Sequence, residues 1–193
     1  MNDVAQMQAV PTDAWDASLG HIVSDMGDRP LNIHKLLANH PQLLNAWWSF
    51  RQYIVTGGAL GKRNAELVIL RTAVHANCWY EWASHVERGL QSDLSLDEID
   101  RVMGGAVHSD WSDSDAVLLR AVDELHIRGA LAAEIVAMLE AHFDRKAVLD
   151  LIAIRGMYVM LSDILNSWET ELDQHVSDAL PESVTRQRFE GGL

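Results

Sequence analysis

The chain has only one cysteine, Cys78, and only four prolines among its 193 residues. A single cysteine excludes an intramolecular disulfide bond, which is typical of proteins in a reducing compartment, so we expect a cytoplasmic protein. Few prolines leave the helical spacing of apolar residues largely uninterrupted, and no sustained alternation of apolar and polar residues indicates a strand. The sequence therefore predicts an all-α fold.

Basic residues are also scarce, with 15 Lys and Arg against 28 Asp and Glu and a formal net charge of −13. Nucleic acids and anionic membrane surfaces bind to positively charged faces, so neither is an expected partner. The most apolar late stretch, residues 147–168, is interrupted by charged side chains and is not an expected membrane span. The first basic residue is Arg29, so no secretory signal is expected either.

The length and the apolar content of 48% fit one domain over residues 1–193, with frayed tails at about 1–11 and 181–193. Apolar spacing, capping residues and glycines predict helices at about 12–26, from Asn32, from Pro41 to the glycines at 57, 58 and 61, at 62–76, 78–90, after Ser95, at 112–129, 131–142 and 145–169. The pattern of 147–165 weakly resembles that of 65–83, which fits either a degenerate internal duplication or two similar buried helices.

The groups with chemical potential are concentrated in one segment, namely Glu66, Cys78, Glu81, Trp82 and His85. The last four have helical spacing, which places them on one side of one helix. Asn77 favours a break before that helix because Asn is a good N-cap residue, and the break would place Cys78 in the first turn. There the helix macrodipole favours thiolate over thiol. Glu66 joins the group only if two helices form a hairpin.

Structural explanations exist for the same residues. A lone cysteine is commonly a small buried apolar residue, and Trp79 and Trp82 fit ordinary core positions. Glu81 and His85 fit a surface pair worth roughly 0.2–0.5 kcal/mol. His75, just before the break, either faces the site or complements the dipole at a helix C-terminus.

Two strings of residues, 63–71 and Tyr80-Glu-Trp-Ala-Ser-His85, resemble the superfamily of carboxymuconolactone decarboxylase and alkylhydroperoxidase D. The likeness extends more weakly to residues 30–41 and 116–126, so it covers most of the chain. The Tyr-Glu-Trp-x-x-His string is typical of one branch. The resemblance implies an all-helical fold in which a helical hairpin carries the site. It also implies assembly into homo-oligomers, as trimers, hexamers or dimers.

The resemblance implies residue roles that differ between the two branches. In the peroxidase branch a glutamate precedes Cys-x-x-Cys by twelve residues and a histidine follows, and Glu66, Cys78 and His85 match those places. Glu81 occupies the place of the second cysteine, so a two-cysteine relay through an internal disulfide is not available. In the decarboxylase branch cysteines are not needed, and a glutamate four residues before a histidine is similar to Glu81 and His85.

The first functional hypothesis is a cofactor-free decarboxylase or other lyase acting on a small organic acid or lactone. His85 is the expected proton donor, Glu66 or Glu81 the group that orients it, and Tyr80 with Trp82 the lining of an apolar substrate pocket, with His75 a second-rank contributor. No metal or other cofactor is expected, because the remaining histidines are scattered without the paired spacing of a metal site.

Two alternatives stay open. One is a thiol-dependent peroxidase in which Cys78 attacks the peroxide, His85 lowers the thiol pKa and Glu66 moves a proton. The other is a non-catalytic oligomeric protein that binds a small ligand in an inherited pocket.

Overall fold

A computed structural model describes residues 7–192, and the predicted fraying of residues 1–6 lies outside this range. Within the described residues the regular structure is helical and contains no strand, which confirms the all-α prediction. The helices are α1 (Gly20–Asp25), α2 (Asn32–Leu37), α3 (Pro41–Ile54), α4 (Lys62–His75), α5 (Trp79–Gln91), α6 (Leu96–Val102), α7 (Asp113–Arg128), α8 (Ala133–Glu140), α9 (Arg145–Ser167), α10 (Gln174–Ala179) and α11 (Arg186–Gly191).

Helix α4 is the central element and packs against α5, α7 and α9. Its residues 67–70 are all apolar and at most 3% exposed, as expected for a helix that is covered on every side. Val68 and Ile69 belong to one apolar cluster with α9, whereas Leu67 and Leu70 belong to a second cluster with α5 and α6. The hairpin of α4 and α5 therefore packs against both apolar clusters.

Several helix starts follow the capping residues of the sequence. The hydroxyl of Ser95 accepts a hydrogen bond from the backbone N–H of Glu98, and the Glu98 carboxylate accepts one from the N–H of Ser95. The hydroxyl of Ser112 accepts a hydrogen bond from the N–H of Asp115 at the start of α7, whereas the Asp115 carboxylate accepts from Arg63. Pro41 occupies the first turn of α3 behind His40. These predicted starts are confirmed, because three or four adjacent residues suffice to make each cap.

The break between α4 and α5 is present, but its geometry differs from the prediction. Ala76 is the C-cap of α4, and Asn77 follows in the left-handed region with φ of +47°. Cys78 is then the N-cap of α5, so it lies just before the first turn rather than inside it. Asn77 acts through its tolerance of positive φ and not as an N-cap.

Both ends of the described chain correct the sequence analysis. The helix predicted at 12–26 is two short 3₁₀ turns, Thr12–Ala14 and Ala17–Leu19, followed by α1. The tail predicted to fray after residue 180 instead forms α11. Phe189 on that helix is 1% exposed, with ring centroids 5.9 Å from Trp79 and 5.3 Å from Trp82. Val184 is buried in the same apolar cluster, and Arg188 forms an ion pair with Asp100 at 2.6 Å, so packing and charge together anchor this otherwise polar segment.

Within residues 7–192, none of the helices combines the length and the apolar character needed to traverse a bilayer.

Candidate active site

The imidazole of His85 on α5 is the centre of the candidate site and is 1% exposed. Its Nδ1 lies 2.6 Å from Oε2 of Glu66 on α4, and its Nε2 lies 2.8 Å from Nη1 of Arg88 on α5. A guanidinium can only donate, so Nε2 accepts the hydrogen bond from Arg88 and the ring proton is on Nδ1, which donates to Glu66. The two partners therefore select one neutral tautomer.

The surroundings of His85 favour this neutral form. Burial lowers its pKa below the usual value, and the charge of Arg88 lowers it further, whereas the charge of Glu66 and its hydrogen bond act in the opposite direction. In this state Nε2 has a lone pair and no proton to give. His85 is thus arranged to accept a proton, which differs from its role as donor in the sequence-based hypothesis.

Glu81 is a second carboxyl group at the same imidazole. It is 3% exposed, and its Oε2 lies 3.5 Å from Nε2 of His85. Burial raises the pKa of Glu81 to about 7, with Arg88 opposing the rise and Glu66 adding to it. A carboxyl group with this pKa carries a proton in a large fraction of molecules near neutral pH, so it can donate one. A proton donor and a proton acceptor thus lie side by side.

Two adjoining cavities meet at this group. An inner cavity of about 30 Å³ is bordered by Tyr80, Glu81 and Ser84, and an outer cavity of about 270 Å³ by Lys62 and Glu66. The residues that border both are Arg51, Val55, His85, Arg88 and Tyr158. The inner cavity has room for little more than a water molecule, whereas the outer one is large enough for a small organic ligand.

Three residues of this site were missed by the sequence analysis. Arg88 lies three residues after His85 on the same helix, so helical spacing could have identified it. Arg51 on α3, with Cζ 4.7 Å from the ring centroid of Trp48, and Tyr158 on α9, with its ring 4.9 Å from that of His85, come from distant segments. No local pattern marks either of them, because only tertiary packing brings them to the site.

Cys78 is fully buried and borders neither of these two cavities. Burial raises the pKa of its thiol to about 11, and the negative charge of Glu81 adds to the rise. The nearby backbone N–H groups of Glu81 and Tyr80 and the hydroxyl of Ser162 lower this pKa only in part. The expected thiolate at a helix N-terminus is thus not what the structure favours, because burial outweighs the helix dipole.

Tyr80 and Trp82, the two aromatic residues proposed to line a pocket, face different surroundings. Tyr80 borders the inner cavity, and its hydroxyl donates a hydrogen bond to the carboxylate of Asp173. Trp82 packs in the second apolar cluster against Phe189 and borders neither cavity. Of the two, only Tyr80 therefore borders the candidate site, and it does so at the inner cavity.

His75 is also separate from the two cavities. Its Nε2 lies 2.7 Å from Oδ1 of Asp123, and its ring stacks on that of His126 with centroids 4.2 Å apart. Arg71 donates a second hydrogen bond to the same Asp123 oxygen. In the part of the chain that the structure describes, no group of three or more His, Cys, Asp and Glu side chains is placed to hold a metal ion.

Comparisons with known proteins bear on the family and the fold. The sequence profile of the carboxymuconolactone decarboxylase family matches residues 41–124, a range that includes Glu66, Glu81, His85 and both arginines of the site. A search of curated proteins finds no significant match.

Solved structures share the fold at low sequence identity. The alkylhydroperoxidase AhpD core of a peroxidase-related protein from Ralstonia eutropha JMP134 has a TM-score of 0.77 and 16% identity, over 89% of this chain and 94% of that one. A cysteine-to-alanine variant of the debrominase Bmp8 in complex with 2,3,4-tribromopyrrole has a TM-score of 0.75 and 11% identity, over 92% and 96%.

A third structure, the protein ATU0492 from Agrobacterium tumefaciens, a putative antioxidant defence protein AhpD, has a TM-score of 0.65 and 18% identity, over 71% of this chain and 94% of that one. Residues 41–124 thus match the carboxymuconolactone decarboxylase family, and the helical fold is similar to that of AhpD-like proteins.

Proposed function

We propose that this protein is a cofactor-free acid–base enzyme, a decarboxylase or related lyase, that acts on a small organic acid or lactone. The observation that carries this proposal is the buried imidazole of His85, which lies 2.6 Å from Glu66, with the carboxyl group of Glu81 3.5 Å away. A base and an acid with oppositely shifted pKa values at one cavity are what proton transfer at carbon needs.

Decarboxylation uses Glu81 as the acid. When the carbon–carboxylate bond breaks, carbon dioxide leaves and the electron pair stays on the substrate carbon, which takes the proton of Glu81. The resulting carboxylate regains a proton from solvent through His85, which lies within 3.5 Å. Burial of both groups keeps water from competing for the proton at the reacting carbon.

Proton shifts in an unsaturated lactone use both groups. His85 takes a proton from the carbon next to the carbonyl through Nε2, and Glu81 gives a proton to the other end of the conjugated system. The imidazolium that forms is stabilised by the negative charge of Glu66 on Nδ1. Glu66 is thus a positioning residue that acts through His85, in the manner of a carboxylate–histidine pair.

The structure gives weaker support to a thiol peroxidase. Cys78 is fully buried, its thiol pKa is raised to about 11, and it borders neither cavity at His85. A nucleophilic thiol instead needs a lowered pKa and access to its substrate.

The test is turnover of carboxymuconolactone, of β-keto acids and of unsaturated lactone acids in D₂O, followed by proton NMR. We expect loss of carbon dioxide or uptake of solvent deuterium at carbon by the natural protein, and its near loss in His85→Asn and Glu81→Gln. Glu87→Gln, on the same helix, is the matched control and should retain turnover.

Other outcomes would point to the alternatives. Peroxide reduction that is abolished by Cys78→Ser would favour the peroxidase and overturn the proposal. Binding of these acids without any turnover would favour a ligand-binding protein.

A further inference from the structure

We propose that the outer cavity contains a carboxylate-binding subsite formed by Arg51 and Arg88, and that a bound carboxylate draws Arg88 away from Nε2 of His85. The base then becomes available only when an anionic ligand is present. This inference rests on the proposed function and deepens it, because it names the chemical group on the ligand that unmasks the base.

The first support is that neither arginine has a counter-ion among the residues that the structure describes. Within residues 7–192, no carboxylate forms an ion pair with Arg51 or Arg88, although both are partly buried at the cavities. Arg51 donates only to the side-chain oxygen of Gln52 at 3.2 Å, and Arg88 donates only to His85. Partly buried guanidinium groups ordinarily have anionic partners, so a ligand carboxylate would complete this pair.

The second support is the local charge. Lys62 also borders the outer cavity, and among the described residues of its lining the only acidic one is Glu66, which already accepts a hydrogen bond from His85. A chain with a net charge of −13 thus has a cluster of cations around one cavity. Burial lowers the pKa of Arg51, and the charge of Arg88 lowers it further. An anion between the two guanidinium groups would relieve that repulsion.

The third support concerns which arginine moves. The guanidinium of Arg51 lies over the ring of Trp48, 4.7 Å from its centroid, which restricts its position. Arg88 is held at the cavity by one hydrogen bond to a neutral ring. A carboxylate accepts two parallel hydrogen bonds from a guanidinium and is the stronger partner. When His85 and a ligand carboxylate compete for the guanidinium of Arg88, the carboxylate is favoured, and Nε2 of His85 loses its hydrogen bond from Arg88.

The functional consequence is selection by charge. A neutral ligand of the same shape cannot compete for Arg88, so Nε2 of His85 stays occupied and the base stays masked. A carboxylate binds and unmasks the base in the same event. The enzyme would then discriminate against neutral lactones and esters in turnover as well as in binding.

The experiment uses benzoate as the anionic probe and benzamide as its neutral counterpart, with protein labelled with ¹⁵N at histidine. The Nε2 resonance of His85 is assigned by its loss in His85→Asn. We expect benzoate to bind and to move this resonance, and benzamide to leave it in place. In Arg88→Met the resonance of the free protein should already lie near the benzoate-bound position, and benzoate should no longer move it.

Affinities measured by calorimetry complete the test. Arg51→Met and Arg88→Met should each weaken benzoate binding by about tenfold or more, as expected for loss of a charge-assisted hydrogen bond. Arg120→Met removes an exposed arginine that borders neither cavity and should leave affinity unchanged. Thermal unfolding verifies that each variant is folded, and Arg88→Lys, which should retain part of the affinity, replaces Arg88→Met if that variant is not.

Three results would overturn the inference: equal effects of benzoate and benzamide, benzoate binding that leaves the His85 resonance unmoved, or a shift that persists in Arg88→Met. These outcomes are separable from failure of the proposed function. Turnover without a benzoate-induced shift refutes only the subsite, whereas a clear shift without turnover of any acid or lactone refutes only the enzyme.

Discussion

Glu66 and His85 are joined by a hydrogen bond of 2.6 Å although they lie 19 residues apart on different helices. The contact exists because the left-handed turn at Asn77 directs α5 back along α4. The carboxylate selects the tautomer of the imidazole and stabilises the cation that forms when the imidazole takes a proton. This pair is the basis of the proposed chemistry.

Replacing Glu66 by Gln tests that role directly. A Gln side chain keeps an acceptor for Nδ1 of His85 but removes the negative charge, so the imidazolium loses its stabilising partner. We expect kcat to fall about 10²-fold, which is within the range for general acid–base catalysis. Because the charge of Glu66 raises the pKa of His85, the variant should also show the His85 limb of its pH profile at lower pH.

The pH profile separates this role from a merely structural one. Loss of packing would lower kcat without moving the His85 limb. Glu87→Gln, at the residue next to Arg88 on α5 and bordering neither cavity, should show natural kinetics at every pH. An unchanged His85 limb in Glu66→Gln would contradict the prediction.

The pH dependence of turnover in the natural protein should be bell-shaped. The charged and titratable groups that border the two cavities with His85 are His34 from α2, Arg51 from α3, Lys62 and Glu66 from α4, Tyr80, Glu81 and Arg88 from α5, and Tyr158 from α9. His85 must be neutral, and its lowered pKa places the rising limb below 6.5. Glu81 must be protonated, and its pKa of about 7 places the falling limb near neutrality. Measurement of kcat/KM from pH 4 to 9 reports both limbs.

The same shift in Glu81 should affect stability. The pKa of Glu81 is about 7 in the folded protein, above its usual value of 4.5, so the folded state binds more protons between these pH values. Stability from this group is therefore present below pH 4.5 and is lost as pH rises through 7. The loss is about 3 kcal/mol in the free energy of unfolding. Glu81→Gln should remove this dependence.

Urea unfolding at pH 5 and pH 8 measures the effect. The free energy of unfolding of Glu81→Gln, relative to that of the natural protein, should increase from pH 5 to pH 8. His85, whose lowered pKa acts in the opposite direction, is present in both proteins, so its contribution largely cancels in the difference. An equal difference in the free energy of unfolding between the two proteins at both pH values would show that Glu81 has an ordinary pKa.

Cys78 should behave as a buried thiol. With a pKa of about 11, only about a thousandth of it is thiolate at pH 8, and burial adds a steric barrier. We expect an aromatic disulfide reagent to label it slowly in the folded protein and rapidly in urea. Cys78→Ala should keep turnover within about twofold and lower stability by about 1 kcal/mol. Fast labelling of the folded protein, with loss of turnover in the variant, would restore the peroxidase hypothesis.

The parts of the fold that the sequence predicted are those decided by near neighbours. The cap of α6 needs only Ser95 and Glu98, and the common face of Glu81 and His85 needs only the helical period. The residue types and their spacing in the sequence are enough to predict both features. The same helical period places Arg88 one turn after His85, so this contact too follows from the sequence.

The remaining features depend on packing between distant segments. Tyr158 meets His85 only because α9 packs on α5, and Cys78 is buried because the first apolar cluster closes over it. The pKa of Cys78 then follows from burial, which a sequence motif does not report. Phe189 likewise orders the C-terminal segment through rings that lie more than a hundred residues earlier.

Asn77 gives a test of the turn that brings Glu66 to His85. The residue is exposed with φ of +47°, so its replacement changes the backbone preference more than the packing. Glycine adopts this conformation readily, and Asn77→Gly should unfold within about 1 kcal/mol of the natural protein. Valine does not, and Asn77→Val should lose about 1–3 kcal/mol. Urea unfolding at pH 7 compares the three proteins, and the Nε2 resonance of His85 reports whether the hairpin is displaced. Equal stability of the Gly and Val variants would show that the left-handed turn is not what joins α4 to α5, and the contact between Glu66 and His85 would then need another cause.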